Sequence, residues 1–276
     1  FFGQDINFAT RDAKIKVDLH KMTEGRQDAT IMVAYLAQKE RTDEALLAAT
    51  AKADQLLNEI ERMVAMNCTA VDIAYTPADL YRLKREGKKA IMLGIENGYA
   101  IGKDLTNVER FRNRGVVYMT LCHNGNNDIC GSARYNDEHI GVTPFGEQVI
   151  REMNRTGMMV DLSHAGEQTF YDTLDISSKP VVCSHSSSRA LCDHPRNLTD
   201  EQLKAIARKG GVVQVCLYSG FLRTDAPATI CDAIEHLHHM VNIMGIEHVG
   251  IGTDFDGDGG IIGCNDSSEL INLTRR

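Results

Sequence analysis

The sequence predicts an α/β fold in which parallel strands, each followed by a helix, form a (β/α)8 barrel of the TIM type. Three observations carry that expectation. Short apolar runs at Ala90 to Ile95, Gly115 to Cys122, Met158 to Leu162, Val181 to Ser184, Gly211 to Leu217 and His248 to Gly252 alternate with helical patterns, and such alternation demands a parallel sheet with right-handed crossovers. Each of these six runs ends on one chemically capable side chain: Glu96, His123, His164, His185, Tyr218 and Asp254. An open doubly wound sheet gathers ligands at one switch point, whereas a barrel collects a residue from every strand around a single mouth. The chain has 276 residues, 43% of them hydrophobic, enough for one barrel domain of about 250 residues. The whole of 1–276 is therefore read as one domain.

Taken in order, the polar stretch from Phe8 to Ala29 has no clear periodicity and reads as a surface loop. Thr30 to Ala37 is a β-branched apolar strand. A long helix follows from Thr42 to Met66, with Thr42 as cap, Asp43 and Glu44 at its positive end, and Leu46, Ala49, Ala53, Leu56, Ile60 and Met63 at helical spacing. A shorter helix, the ADLYRLKREG segment, follows Pro77 and ends at Gly87, where a left-handed cap meets no steric penalty. Further helices are expected at Pro144 to Thr156, Glu167 to Leu174, Asp200 to Lys209 and Pro227 to Met244, the third behind a Thr199–Gln202 capping box and the last with Pro227 at a first helical position. The strands number seven, and a complete barrel needs eight. The missing strand is expected to precede Phe1.

Composition narrows the function classes. A net charge of -8 and a pI near 5.7 leave no basic patch to neutralise phosphates, against nucleic acid or an anionic membrane surface as partner. No apolar run reaches the roughly 18 residues that span a bilayer, and the N-terminus lacks the basic start and apolar centre of a signal peptide. A soluble, cytoplasmic protein is expected, or an exported one if a signal lies upstream of the Met-less Phe1-Phe2-Gly3 start. The eight cysteines contain no C-x-x-C pair, which removes zinc-ribbon and thioredoxin readings and leaves buried thiols in a reducing environment.

Two imidazoles at successive strand ends, His164 and His185, with Glu96 and His123 from preceding strands, point to a metal. One such histidine is ordinarily a hydrogen-bonded structural residue; the set together suits zinc, whose catalytic sites combine imidazole and carboxylate ligands and leave a position open for water. His139, His194, His236, His238, His239 and His248 lie on loops, on helices or at a strand's start and are read as structural or solvated. Asp254-Phe255-Asp256-Gly257-Asp258-Gly259 imitates a calcium loop, but Asn265 stands where a bidentate Glu is required. Gly250-x-Gly252 lacks a third glycine, and Ser186 to Ser188 lack a G-x-S-x-G frame; these serines are expected to satisfy backbone groups around His185. Arg196 has two readings, a surface ion pair or a fork for a substrate carboxylate.

The segments GIENG, LCHNGNN, GMMVDLSH, PVVCSHSSSR with HPRN, and HVGIGTDFDG together resemble the renal or membrane dipeptidase family, zinc peptidases of the amidohydrolase superfamily, in order from about Val17 to the C-terminus. The resemblance implies a (β/α)8 barrel with two zinc ions in its mouth. Glu96 matches the family's bridging carboxylate and His164 and His185 the ligands of the second zinc. His123 matches the histidine that polarises the scissile carbonyl, Arg196 and Tyr218 match substrate-binding positions, and Asp254 matches the acid/base residue. The family's first strand ends in an H-x-D pair that completes the first zinc site; no H-x-D occurs in these 276 residues, and Asp18-Leu19-His20 has the reverse order. With the family's last helix also lacking after Arg276, the expectation is a chain shortened at both ends.

The implied chemistry is attack of a zinc-bridging hydroxide on a dipeptide's amide carbonyl, with His123 and a zinc ion stabilising the oxyanion, Asp254 passing the proton to the departing amine, and Arg196 holding the free carboxylate. A small dipeptide is the expected partner, and a homodimer is compatible with the sequence. Two rivals stay open: another amidohydrolase, such as a deaminase or cyclic amidase, and a non-catalytic barrel without the first metal site.

Overall fold

Eight parallel strands, rich in Val and Ile, form one curled sheet in the computed structural model, which describes residues 6–135 and 139–276. The strands are β1 (Ala29–Tyr35), β2 (Val71–Ile73), β3 (Lys89–Glu96), β4 (Val116–Thr120), β5 (Met159–Asp161), β6 (Val182–Cys183), β7 (Val212–Cys216) and β8 (Val249–Gly252). They run in the order β1-β3-β4-β5-β6-β7-β8, the seven strands read from the sequence. The unexpected β2 pairs with Lys89–Ile91 at the start of β3, and β4 pairs with β3 further along, at Leu93–Glu96. Three residues are too few to show a period. Among the described residues no ladder joins β1 to β8, so the barrel-type sheet is open there.

The helices are α1 (Leu19–Glu24), α2 (Asp43–Met66), α3 (Pro77–Arg85), α4 (Thr106–Arg114), α5 (Pro144–Thr156), α6 (Glu167–Ile176), α7 (Asp200–Arg208), α8 (Ser219–Leu222), α9 (Ile230–Met244) and α10 (Ile271–Thr274). The larger ones cover the outside of the sheet and enclose a core that includes Ile91, Leu93, Ile95, Met119, Val160, Val213 and Val215. Such burial of strands on both faces is why they read as continuous apolar runs. Local chemistry sets the helix limits as expected at several ends. Thr42 accepts from the Ala45 amide, Thr143 from the Gly146 amide beside Pro144, and Thr199 and Gln202 close a reciprocal capping box. Gly157, at φ +78°, ends α5 in the left-handed conformation that glycine adopts without steric cost.

Three expectations are corrected, and one helix is added. The stretch from Phe8 to Ala29 is not a surface loop throughout: Asp18 caps α1 by accepting from the Lys21 amide at 2.8 Å, and Phe8, Ile15 and Met22 are buried. Six helical residues are less than two turns, too short for an apolar period. Pro227 is not the first residue of α9, which starts at Ile230 after Asp232 accepts from the Thr229 amide and hydroxyl, each at 2.7 Å. Helix α4 went unread because its apolar face is reduced to Val108 and Phe111. In α2 the buried position is Leu57, with Leu56 only half-buried.

The strand ends meet at one edge of the sheet. Gly252, the last residue of β8, lies so close to the end of β6 that a Cβ there would stand 1.9 Å from the Ser184 carbonyl oxygen. Only glycine permits that approach. The placement of α2 predicts that Leu57→Ala lowers unfolding free energy by about 2–5 kcal/mol through loss of burial and a residual cavity. Leu56→Ala should cost less than half as much, as read from paired denaturant unfolding curves.

Candidate metal centre

Glu96 closes β3, His164 follows β5 by three residues, and His185 follows β6 by two. Because the strands are parallel, all three reach the same carboxyl edge. Glu96 Oε1 lies 3.2 Å from His164 Nε2 and 3.5 Å from His185 Nε2, and the two Nε2 atoms are 2.9 Å apart. Ligand atoms held in a tetrahedron at zinc's usual bond lengths stand about 3.3–3.5 Å from one another, so the two edges from Glu96 suit one such ion with its fourth position free, while the Nε2–Nε2 edge is shorter and lies at hydrogen-bond distance. Among the described residues this is the one group of His, Cys, Asp and Glu side chains close enough to share a metal.

Both histidines of the triangle are held in place by neighbouring groups. His164 adopts φ +70°, a left-handed conformation uncommon outside glycine; its carbonyl oxygen accepts from the Ala133 amide at 2.7 Å, and its Nδ1 lies 3.2 Å from Asn124 Oδ1. His185 Nδ1 lies 2.8 Å from the Ser184 hydroxyl. Burial is the first cause, and the Arg196 charge the second, holding both imidazoles well below the usual histidine range and therefore neutral, the form that binds metal. Burial, reinforced by Asp254 and Asp161, pushes the Glu96 carboxyl up to about 8. A carboxylate so short of compensating charge suits a cation.

The other predicted residues gather around this triangle in different degrees. His123 Nε2 is 3.9 Å from Glu96 Oε1, and its ring packs on His164 at a centroid distance of 4.1 Å. Burial lowers His123 to about 4, so it too is neutral. Arg196 is only 4% exposed, which rules out a surface ion pair. Its Nη2 donates to the His185 carbonyl at 3.2 Å and its Nη1 to the Ser186 hydroxyl at 3.5 Å; its Nε has no partner. The guanidinium sits 5.2 Å over the Phe221 ring. Tyr218, half exposed, meets the same ring edge-on. Asp254 follows β8 at φ +54°, its Oδ2 3.9 Å from Cys216 Sγ, and burial pushes its carboxyl up to about 7 against the opposing pull of Arg196.

Residues the sequence reading passed over hold this arrangement. Buried Asn97, at φ +87°, donates from Nδ2 to the Leu36 carbonyl at 3.0 Å and accepts at Oδ1 from Asn127, whose Nδ2 also donates to the Leu121 carbonyl at 2.8 Å. These two amides tie the ends of β1, β3 and β4 together beside Glu96 and His123. Tyr35 stands edge-on to His123 at 4.8 Å. Asp161 and Ser184 lie behind His185. A strand-end aspartate inside an apolar run was the one available signal.

The remaining motifs behave structurally. Asp256 Oδ1 accepts from the Lys16 amide at 2.7 Å rather than facing an ion loop. Ser187 exchanges hydrogen bonds with the Cys216 backbone, but the hydroxyl beside His185 belongs to Ser184. Six of the eight free cysteines are buried, Cys68 and Cys231 being exposed. His239 pairs with Asp200 at 2.7 Å, His248 with the Gly211 carbonyl at 2.8 Å, and His194 accepts at Nδ1 from the Arg196 amide at 3.1 Å. Buried His236 accepts from the Ser188 amide at 3.1 Å and meets the Leu222 carbonyl through Nε2 at 3.1 Å.

The sequence model of the membrane dipeptidases, peptidase family M19, matches residues 1–276. The chain belongs to this family. Dipeptidase tcpJ of Claviceps purpurea (strain 20.1) is 32% identical over 271 residues, covering 96% of this chain and 64% of its own length. Dipeptidase 3 of Mus musculus is 31% identical over 261 residues, covering 93% and 51%. The chain thus spans about half to two thirds of the length of these curated relatives. The crystal structure of the probable dipeptidase PvdM from Pseudomonas aeruginosa superposes with a TM-score of 0.91 at 26% identity, covering 96% of this chain and 83% of that one. Despite the family's name, no helix among the described residues is long and apolar enough to cross a membrane.

The His236 contacts carry a pH prediction for this M19 chain. Burial is the main cause holding His236 below its ordinary 6.5, so the unfolded chain binds its proton first. Its contribution to stability is whole above about pH 6.5 and is lost as the pH falls below that value. A His236→Gln variant, which cannot titrate there, should show a flatter stability profile between pH 7 and 5 in denaturant melts.

Proposed function

We propose that this protein is a zinc-dependent dipeptidase that hydrolyses the single amide bond of a dipeptide in the mouth of the sheet. The observation that carries the reading is the triangle of Glu96, His164 and His185 in a chain of the M19 family. Glu96, His164 and His185 would hold one zinc, and Glu96 is the carboxylate available to bridge to a second. Bound zinc would supply a water acidified toward neutrality and a Lewis acid for the substrate carbonyl.

The chain's own residues would do the rest. Arg196 binds the substrate's free carboxylate: it is a buried cation with an unused Nε, and a charge-assisted fork there restores the hydrogen bonding that burial removes. This contact sets the length limit, because a longer peptide places a neutral amide where the carboxylate should be. Tyr218 and Phe221 wall that end. His123, neutral, offers an N–H to the carbonyl oxygen as charge develops on it. Asp254, near neutrality, can both accept a proton from the nucleophile and return one to the leaving amine.

The test is metal analysis of the protein, together with hydrolysis assays on dipeptides, dipeptides amidated at the C-terminus, and cyclic amides. Dipeptide turnover that needs zinc supports the reading; preference for cyclic amides, or no zinc uptake, overturns it. Arg196→Lys should raise KM for dipeptides at least tenfold with zinc content unchanged, since an ammonium cannot replace the fork. Asp254→Asn should lower kcat by about 10²–10⁴-fold while zinc binding persists.

A further inference from the structure

Asp161 is fully buried at the end of β5 and accepts four hydrogen bonds. Oδ1 takes the amides of Ser163 at 3.0 Å and Ser184 at 2.9 Å. Oδ2 takes the hydroxyls of Thr120 and Ser184, each at 2.6 Å. The short distances at Oδ2 are those of hydroxyls donating to a charged oxygen. The Ser184 proton is therefore committed to Asp161. With its one proton spent, the Ser184 oxygen can only accept from His185 Nδ1, 2.8 Å away.

We infer that Asp161 and Ser184 are positioning residues that fix His185 as the Nδ1–H tautomer and so leave Nε2 bare toward Glu96 and His164. The relay runs His185 Nδ1–H to Ser184 Oγ, and Ser184 Oγ–H to Asp161 Oδ2. It is a carboxylate acting on a metal-ligating imidazole through an intervening hydroxyl, an arrangement that orients a ligand and raises its basicity. The relay's value for binding rests on the ligand assignment made above; the tautomer itself does not.

The geometry makes the outcome of a one-atom change specific. In Asp161→Asn the two backbone amides still require an acceptor at the Oδ1 position, so the side-chain NH2 must take the place of Oδ2. It then donates to Ser184, and the Ser184 proton turns to His185 Nδ1 at 2.8 Å, closer than the Ser163 hydroxyl at 3.4 Å. His185 is forced into the Nε2–H tautomer, which carries a proton where the metal should bind. Ser184→Ala instead leaves the ring free to take either tautomer. Asp161→Asn should thus be the more damaging of the two, although it keeps more of the hydrogen bonds.

The experiment uses the metal-free chain labelled with ¹⁵N-histidine, read by two-bond imidazole correlation spectra, and zinc affinity measured by competition with a chromophoric chelator. The unaltered chain should show His185 as Nδ1–H and Asp161→Asn should show Nε2–H. Zinc affinity should fall about 10–100-fold in Ser184→Ala, further in Asp161→Asn, and stay near the parent value in Ser184→Thr, which keeps the hydroxyl. An unchanged tautomer in folded Asp161→Asn, or parental zinc affinity in Ser184→Ala, overturns the inference. If Asp161→Asn fails to fold, the Ser184→Ala and Ser184→Thr pair decides, because neither touches the backbone bonds of Asp161. An Nδ1–H His185 in a chain that takes up no zinc would sustain the relay and overturn the metal reading.

Discussion

The parallel ladder register is the constraint on which everything else in this chain depends. Across the carboxyl edge, Tyr35 pairs with Glu96, Glu96 with Thr120, Thr120 with Asp161, and Asp161 with Val182. One row of partners therefore holds the carboxylate of the Glu96–His164–His185 triangle, the aspartate that accepts from Ser184 beside His185, and the threonine that bonds to it. Side chains alternate faces along a strand, so a slip of one residue would send Glu96 out of the mouth. The bulge between Leu93 and Gly94 in the β3–β4 pairing falls just before this row and sets its final alignment.

Burial does the electrostatic work. The same desolvation that lowers His123, His164 and His185 raises Glu96 and Asp254, so five ionisable groups are each pushed toward their neutral forms in one small volume. Burial lowers Arg196 as well, but a guanidinium keeps its charge, and it stands among them as a cation with no carboxylate within ion-pair distance among the described residues. Its charge pulls Asp254 down and the histidines down together, which spreads one positive charge over groups with different tasks. Neutral polar side chains, above all Asn97, Asn127 and Ser184, then fix geometry without adding charge to a site already dense in it.

Much of this was legible in the residues. Apolar runs that are buried on both faces announce themselves, and a polar residue at the end of each one marks the mouth, which is why Glu96, His123, His164, His185 and Asp254 could be named. What stayed hidden has a common physical cause. The helix α1, the strand β2 and the start of α9 are set by hydrogen bonds that Asp18 and Asp232 accept, or by a few ladder pairs, not by any period. Asp161 was invisible for a different reason: its role lies in contacts to Thr120 and Ser184, distant in sequence, and its own position reads simply as the polar tail of a strand. The two meanings offered for Arg196 could not be separated until its burial was known.

The open boundary between β1 and β8 has its own consequence. Both are outer strands of a sheet whose residues are chosen for burial, and β8 exposes Ile251 there. Natural sheets guard such edges with charge, proline or a covering segment, yet β1 reads ATIMVAY and β8 reads VGIG. Neither carries a charged or proline residue. Among the described residues no ladder covers this seam, so its backbone is placed to pair with a further strand.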